Sequence, residues 1–294
     1  MSDEAQEVTV ADNEGYHLDR LDVWGEEQEF VVEAERTIAY AKATNDPIAQ
    51  HLDGTYAPPV FAIVPAMVMM ADATMSVVPD ELMLRILHGE QDFRLHRPIV
   101  PGETLVVRAK PVGIQGKESG VVVTTLMETH SRTHGDLVNE QYFIGFFRGG
   151  KFEGGEGVPA PEHAFPAELR EREPDFVAEQ RFDEDQTFRY AEPAGDPMPI
   201  HTDDEFARQM GLPGIIIHGL CTIAFISHAL ITEISPDDPT RLKRLAVRLT
   251  KPGLPKETIT TSVWSAGDGA YAFEAAGDEN PGKFLITDGR AEFA

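Results

Sequence analysis

The sequence predicts an α+β fold made of two copies of one unit, each an antiparallel sheet wrapped around a buried helix. Two internal repeats and a recurring order of elements predict it. The segment Tyr40-Ala-Lys-Ala-Thr-Asn-Asp46-Pro-Ile-Ala-Gln-His51-Leu-Asp53 returns 150 residues later as Tyr190-Ala-Glu-Pro-Ala-Gly-Asp196-Pro-Met-Pro-Ile-His201-Thr-Asp203, with Tyr, Asp-Pro, His and Asp in register. A second stretch, Phe93-Arg94-Leu95 followed by Pro98, Pro101 and Glu103-Thr104, returns 154 residues on as Val247-Arg248-Leu249 followed by Pro252, Pro255 and Glu257-Thr258. Two motifs repeated in the same order define two homologous units.

In each half a loop carrying Asp and His leads into an apolar segment of helix length, Val64 to about Val78 and then His218 to about Ile234. Both are hydrophobic nearly all round, so each helix must be enclosed rather than laid on a surface. Strand-like alternation follows in the same order: Leu105–Arg108, Val121–Leu126 and Leu137–Arg148 in the first half, Leu245–Leu249, Ile259–Trp264 and Phe284–Phe293 in the second. Between the halves the chain turns rich in Gly, Pro and Glu, which reads as a surface linker. The expected division is a first unit over 1–150, a linker over 151–186 and a second unit over 187–294. A chain of 294 residues is long enough for both units to bury a core.

Fifty acidic residues against twenty-five basic ones give a formal charge of −25, which repels nucleic acid and anionic membranes. Such acidity fits a salt-rich cytoplasm and fits equally a soluble protein kept monodisperse by its charge. The opening Met-Ser-Asp-Glu-Ala-Gln-Glu lacks the basic lead and apolar core of a signal or transit peptide. The longest apolar run, Ala57 to Ala71, contains three prolines and falls short of the roughly 20 residues that cross a bilayer, so no membrane span is expected. Cys221 is the single cysteine, which excludes an internal disulfide and any CxxC metal site and points to a reducing, cytoplasmic setting. Walker, Rossmann, serine-elbow and zinc signatures are absent, so no nucleotide, nicotinamide or metal is expected.

The stretch Gly195-Asp196-Pro-Met-Pro199-Ile200-His201, with Pro213-Gly214 and Ile217-His218-Gly219 after it, resembles the hydratase motif of the MaoC-like, R-specific enoyl-CoA hydratases and 3-hydroxyacyl dehydratases. The resemblance runs from about residue 28 to the C-terminus and is most specific in the second half. It departs at Met198, where family members commonly have Asn. It implies a double hotdog fold, a trans-2-enoyl thioester of coenzyme A or an acyl carrier as substrate, and no cofactor beyond the coenzyme A of the substrate. A homodimer of double hotdogs is a further expectation.

Hydrating a 2-enoyl thioester needs a positioned water, a proton acceptor and donor, and hydrogen-bond donors for the charge that develops on the thioester oxygen. Asp196 and His201, five residues apart on an irregular loop, suit the proton work, and the family uses the matching pair this way. An Asp-Pro turn with a nearby His is also ordinary loop structure. Gly219, at the first turn of a buried helix, is the candidate oxyanion donor through its backbone N–H; close helix packing is its bland explanation. His218 reads as a structural loop residue and Cys221 as core. Arg241, Lys243, Arg244, Arg248, Lys251 and Lys256 fall in sixteen residues without an acid among them. Arg244, Arg248 and Lys251 are therefore candidates for coenzyme A phosphates, although a solvated strand face explains them as well.

Asp46 and His51 keep the motif's spacing, but Ala57 to Val64 stands where the second half has Pro-Gly and His-Gly. A branched Val64 would crowd a thioester, so the first unit is expected to shape the acyl pocket without catalysing. Competing readings are a hotdog thioesterase, and a noncatalytic acyl-binding partner in which Asp196 and His201 are relics.

Overall fold

The computed structural model describes residues 13–279 and 282–294, so the reading of the first seven residues as free of a targeting signal falls outside the described residues. The first half contributes strand β1 (Gln28–Val31), helices α1 (Ala34–Ala43), α2 (Ala49–Leu52) and α3 (Met67–Met75), then strands β2 (Ile86–Leu95), β3 (Thr104–Lys117), β4 (Gly120–Ser131) and β5 (Leu137–Arg148). Two strands follow in the joining segment, β6 (Gly155–Gly157) and β7 (Phe176–Arg181). The second half holds α4 (Gln186–Ala194), α5 (Asp204–Gln209), α6 (Gly219–Ile234) and strands β8 (Leu242–Leu249), β9 (Thr258–Gly267), β10 (Ala270–Gly277) and β11 (Phe284–Phe293).

The strands form one antiparallel sheet of eleven in the order β1-β3-β4-β5-β2-β8-β11-β10-β9-β7, with β6 beside β3. The halves meet where β2 pairs β8 in the register Glu90↔Arg248, Asp92↔Ala246, Arg94↔Arg244. Shifted by the repeat distance of 154, Asp92 corresponds to Ala246, its own partner across the seam. The local twofold axis relating the copies therefore passes through this pair. The equivalent tyrosines meet as well: Tyr40 and Tyr190, both fully buried, have hydroxyls 3.1 Å apart where α1 packs on α4.

The duplication reaches individual backbone angles. Gly195 (φ 72°) ends α4 in the left-handed region, and Asn45 (φ 52°) does the same after α1. Gly102 (φ 93°) and Lys256 (φ 70°) occupy equivalent turns, in which the carboxylates of Glu103 and Glu257 accept from the backbone N–H of Val100 and Leu254, at 2.8 and 2.7 Å.

Helix α6 is buried along Leu220 to Ile231 and stops at Ser235, which a following proline forces out of helical geometry. It is tied to the first half by His228, whose Nε2–H donates to Thr44 O at 3.0 Å. Its counterpart differs from the single helix expected over Val64 to Val78. Pro59–Ala66 is a 3-10 segment and only Met67–Met75 is α-helical, because Pro58, Pro59 and Pro65 bring no N–H to a regular ladder. The joining segment also corrects the linker expected over 151–186. Phe176–Arg181 alternates between half-buried and exposed positions, as an edge strand does, and pairs β9, so the second half's share of the sheet starts before residue 187. One hydrophobic core runs through both halves, with Phe61 and Phe93 in the same cluster as Phe225 and Phe273.

The seam carries an electrostatic imbalance. Arg94 faces Arg244 across it, and the fully buried Asp92 lies between them, 2.8 Å from Arg244 Nη2 and 3.9 Å from Arg94 Nη2. Removing one member of a buried pair strands the other's charge. Asp92→Ala is expected to lower stability by about 3 kcal/mol or more, read as a fall in the denaturant midpoint; a shift within the error of the wild-type midpoint would show that the seam does not need this charge.

Candidate active site

The loop that presents Asp196 begins at the left-handed Gly195, which turns the chain sharply off α4. Asp196 Oδ1 then accepts the backbone N–H of Met198 at 3.3 Å, an Asx turn. Pro199–His201 forms one 3-10 turn, and Asp203 closes the loop by capping α5, its carboxylate accepting from Phe206 N at 3.0 Å. Met198 itself is exposed. The Asp196 carbonyl is held instead by His218, whose Nε2–H donates to it at 3.1 Å.

His201 and His218 stack with ring centroids 3.7 Å apart and planes inclined by 22°. His201 Nδ1–H donates to Ile216 O at 2.8 Å, which leaves Nε2 as the lone-pair nitrogen. Burial lowers the His201 pKa, opposed by the Ile216 carbonyl and the Asp196 charge. The imidazole is therefore a neutral base at neutral pH. Burial, with His201 alongside, takes His218 down to about 3, so it stays neutral and acts as a hydrogen-bond donor through Nε2. Reading His218 as a mere loop residue misses this. Its spacing to Asp196 shows no periodicity; only folding stacks it on the His201 imidazole.

Asp196, His201 and His218 each offer an atom within 4.8 Å of the others. A metal would need the two imidazole lone pairs to converge, yet the rings lie in nearly parallel planes, and His201 Nδ1 and His218 Nε2 already donate to carbonyls. The triad suits proton chemistry better than metal binding.

Asp196 and His201 open on one cavity of about 1100 Å³, which Gly219 also lines. Gly219 is the first residue of α6, whose N-cap His218 makes no side-chain capping bond, so the helix presents its positive end toward the cavity without a side-chain cap. A side chain here would also meet a neighbour: a Cβ would come within 2.6 Å of Leu249 Cδ2, the end of a side chain that would have to shift. The first half supplies much of the remaining wall, including Ile86, Val122, Ile144 and Phe146. His88 reaches the same cavity; burial brings its pKa down to about 4, so it is a neutral polar group in that wall, bonded to Gln91.

The basic cluster divides. Leu245 and Val247 are buried and the arginines point away from them, as alternation predicts. Arg244 is mostly buried, bonded to Asp92 and Glu292, and is not among the cavity-lining residues described. Arg248 lines the cavity but pairs with Glu90 at 2.8 Å and Asp288 at 3.1 Å. Lys251 lines the cavity with no ion pair among the described residues. The reason is the chain's excess of acid: carboxylates take up guanidinium groups that the sequence left apparently free.

The twin motif has folded into something different. His51 Nδ1–H donates to Asp46 Oδ2 at 2.7 Å, and both side chains are 2% exposed. The pair is closed on itself, beside a void of only about 30 Å³. Val64 sits inside the 3-10 segment rather than at a helix start.

Two family models match the chain: a MaoC like domain over residues 167–279 and an MFE-2 hydratase 2 N-terminal domain over 49–149. Among relatives, the probable enoyl-CoA hydratase 2 of Dictyostelium discoideum is 30% identical over 72% of this chain and 70% of its own length. The 3-hydroxyacyl-thioester dehydratase Y of Mycobacterium tuberculosis is 33% identical over 71% of this chain and 72% of its own. The chain belongs to the MaoC-like, hydratase 2 family of hydro-lyases. Among solved structures, a MaoC-like dehydratase from Phytophthora capsici superimposes with a TM-score of 0.83 at 26% identity, covering 95% of this chain and 99% of that one. A conserved M. tuberculosis protein with a double hotdog fold gives a TM-score of 0.60 at 17% identity over 91% and 94% of the two chains, a likeness of fold alone. This chain is thus a double hotdog. Among the described residues no helix is long and apolar enough to cross a membrane.

Cys221, two residues past the candidate oxyanion donor, is fully buried, and burial pushes its thiol well above the usual range. An aromatic disulfide reagent is expected to find no reactive thiol in the native protein and one per chain after denaturation; rapid native labelling would mean that the core around α6 opens readily.

Proposed function

We propose that the protein adds water to trans-2-enoyl-CoA to give the (R)-3-hydroxyacyl-CoA, or runs the reverse dehydration, at a single centre formed by Asp196, His201 and the Gly219 N–H. The observation that carries this reading is the meeting of the Asp196 carboxylate and the unprotonated His201 Nε2 at one cavity in front of the α6 N-terminus. A water held by both groups gives its hydroxyl to C3 of the substrate and its proton to the pair, which returns a proton to C2. The electron density that moves onto the thioester oxygen in between is met by the Gly219 N–H and the helix dipole. The reaction is redox-neutral, so these groups suffice and no cofactor is required of the protein. Lys251 is the remaining candidate for a coenzyme A phosphate, and the cavity wall from the first half would hold the acyl chain. A thioesterase needs a water aimed at the carbonyl carbon; hydration is favoured because two proton-holding groups are paired beside an oxyanion donor. Loss of enoyl absorbance without release of thiol separates the two reactions.

Asp196→Asn and His201→Gln are each expected to lower crotonyl-CoA turnover by about two to four orders of magnitude while leaving the fold intact. Because the neutral imidazole is the working form and its pKa is lowered, hydration by the wild type should hold its rate as pH falls through about 6.5 and drop only below that. The Asp196 charge raises the His201 pKa, so the residual activity of Asp196→Asn should have its acid limb moved to lower pH. Near-normal rates in both variants would remove the assignment.

The first half's motif is closed on itself, so Asp46→Asn with His51→Gln is expected to keep most of the activity, after correction for any loss of folded protein. A loss matching that of Asp196→Asn, with unchanged thermal stability, would make the first copy catalytic.

A further inference from the structure

The segment joining the halves does more than connect them. Its residues from Gly155 to Ala164 form part of the wall of the catalytic cavity, including the apolar run Val158-Pro159-Ala160-Pro161. It is tied down at successive residues. Arg244 Nη2 donates to Glu162 O at 3.0 Å. The buried His163 bonds through both ring nitrogens, Nδ1 to Asp288 O at 2.6 Å and Nε2 to Glu90 Oε2 at 3.0 Å. Phe165 N–H donates to Asp288 Oδ1 at 3.0 Å, while its ring packs edge-on against Trp264, centroids 5.2 Å apart.

Both partners of His163 are acceptors, so both nitrogens must donate, and only the imidazolium can do this. The backbone is arranged to suit. Asp288 is a non-glycine residue at φ 51°, within an irregularity where the β11/β8 register shifts between Thr287 and Arg290, and both its carbonyl and its carboxylate serve the segment.

We propose that this segment is a strap latched over the cavity by doubly hydrogen-bonded His163, and that His163 thereby determines which acyl chains the site accepts. The specificity half of this inference rests on the hydratase reading; the latch does not. The charged groups facing His163 are Glu90 and Asp92 on β2, Asp288 on β11 and Arg248 on β8, which pairs with the same Glu90 and Asp288. Burial lowers the His163 pKa, but the Glu90 and Asp288 bonds and the nearby carboxylate charges outweigh it, and the net direction is upward. A raised histidine pKa means the latch holds at acid and neutral pH and is lost as pH rises through that value. Then an unprotonated nitrogen faces either the carboxylate or the carbonyl, and one bond fails.

The test is hydrogen–deuterium exchange of peptides spanning 155–165 in the full chain, expressed as protection factors across pH, beside kcat/KM for enoyl-CoAs of graded length. Strap protection in the wild type should fall as pH rises through the His163 transition. His163→Gln should lower it at neutral pH and flatten the pH dependence, and Glu90→Gln should move the transition to lower pH. In His163→Gln, kcat/KM for long enoyl chains should fall about tenfold relative to crotonyl-CoA, roughly the contact of one or two methylene groups. Protection that is flat with pH in the wild type and unchanged in His163→Gln overturns the latch, and the wild-type titration stands even if a variant fails to fold. A loosened strap with the chain-length profile unchanged overturns the role in specificity. Absence of hydratase activity in the wild type would instead defeat the function proposed above, leaving the exchange result to be judged by itself.

Discussion

The antiparallel seam between β2 and β8 is the contact on which the rest of the molecule depends. It places the second half's Asp196 loop and the start of α6 against walls supplied by the first half, and the cavity exists only because both contribute. Away from the axis the twofold sets each residue against one that is not its own equivalent: Arg94, equivalent to Arg248, faces Arg244, equivalent to Glu90. At the opposite end of the seam the same register sets Glu90 against Arg248, so duplication has been followed by a change of charge on one side only. Asp92, at the axis, lies fully buried between the Arg94 and Arg244 guanidinium groups, and Glu292 shares Arg244 with it. A charge in such a place is tolerated only with its partners present.

Breaking the symmetry is also what separates a motif open to the cavity from one closed on itself. The same Asp and His, at the same spacing, are five residues apart in both halves. In the first half they pair at 2.7 Å with both side chains buried. In the second, each histidine is held by a backbone carbonyl: His201 Nδ1–H donates to Ile216 O, and His218 donates to the Asp196 carbonyl while its ring stacks on that of His201. The carboxylate and one lone pair are left facing the cavity. Prolines carry the difference further. They convert the start of the first half's helix into a 3-10 run, while the second half begins an uninterrupted α-helix at a glycine.

Much of this was legible in the chain because repeats and periodicity are local. Tyr40 and Tyr190, Glu103 and Glu257, and the alternating strands all lie where the repeat predicted them, and the Asp196 loop and Gly219 were brought together at one cavity. What was not legible depends on contacts distant in sequence. Asp46 and His51 keep the spacing of their twins, and that the two side chains close on each other follows only from burial and orientation. Arg244 and Arg248 stand in an acid-free stretch of sixteen residues, yet their carboxylate partners lie at positions 90, 92, 288 and 292, which no spacing rule connects to them. The joining segment's Gly- and Pro-rich composition concealed strand β7 and a buried histidine.

The charge balance ties these points together. In a chain with twice as many acids as bases, a cation near the site is more valuable as an internal tie than as a free docking charge, because unpaired carboxylates such as Glu90 and Asp288 would otherwise repel one another and the anionic substrate alike. Arg248 lies between these two carboxylates, and His163 joins the same group from the strap. Counting one positive charge on each of Arg248 and His163 against one negative charge on each acid, the cluster is neutral only while His163 is protonated. Removing that proton leaves a net negative charge beside the cavity that must receive a thioester with phosphates. The group that fastens the wall is therefore also the group that makes the cavity's edge acceptable to its substrate, and the two effects weaken together as pH rises.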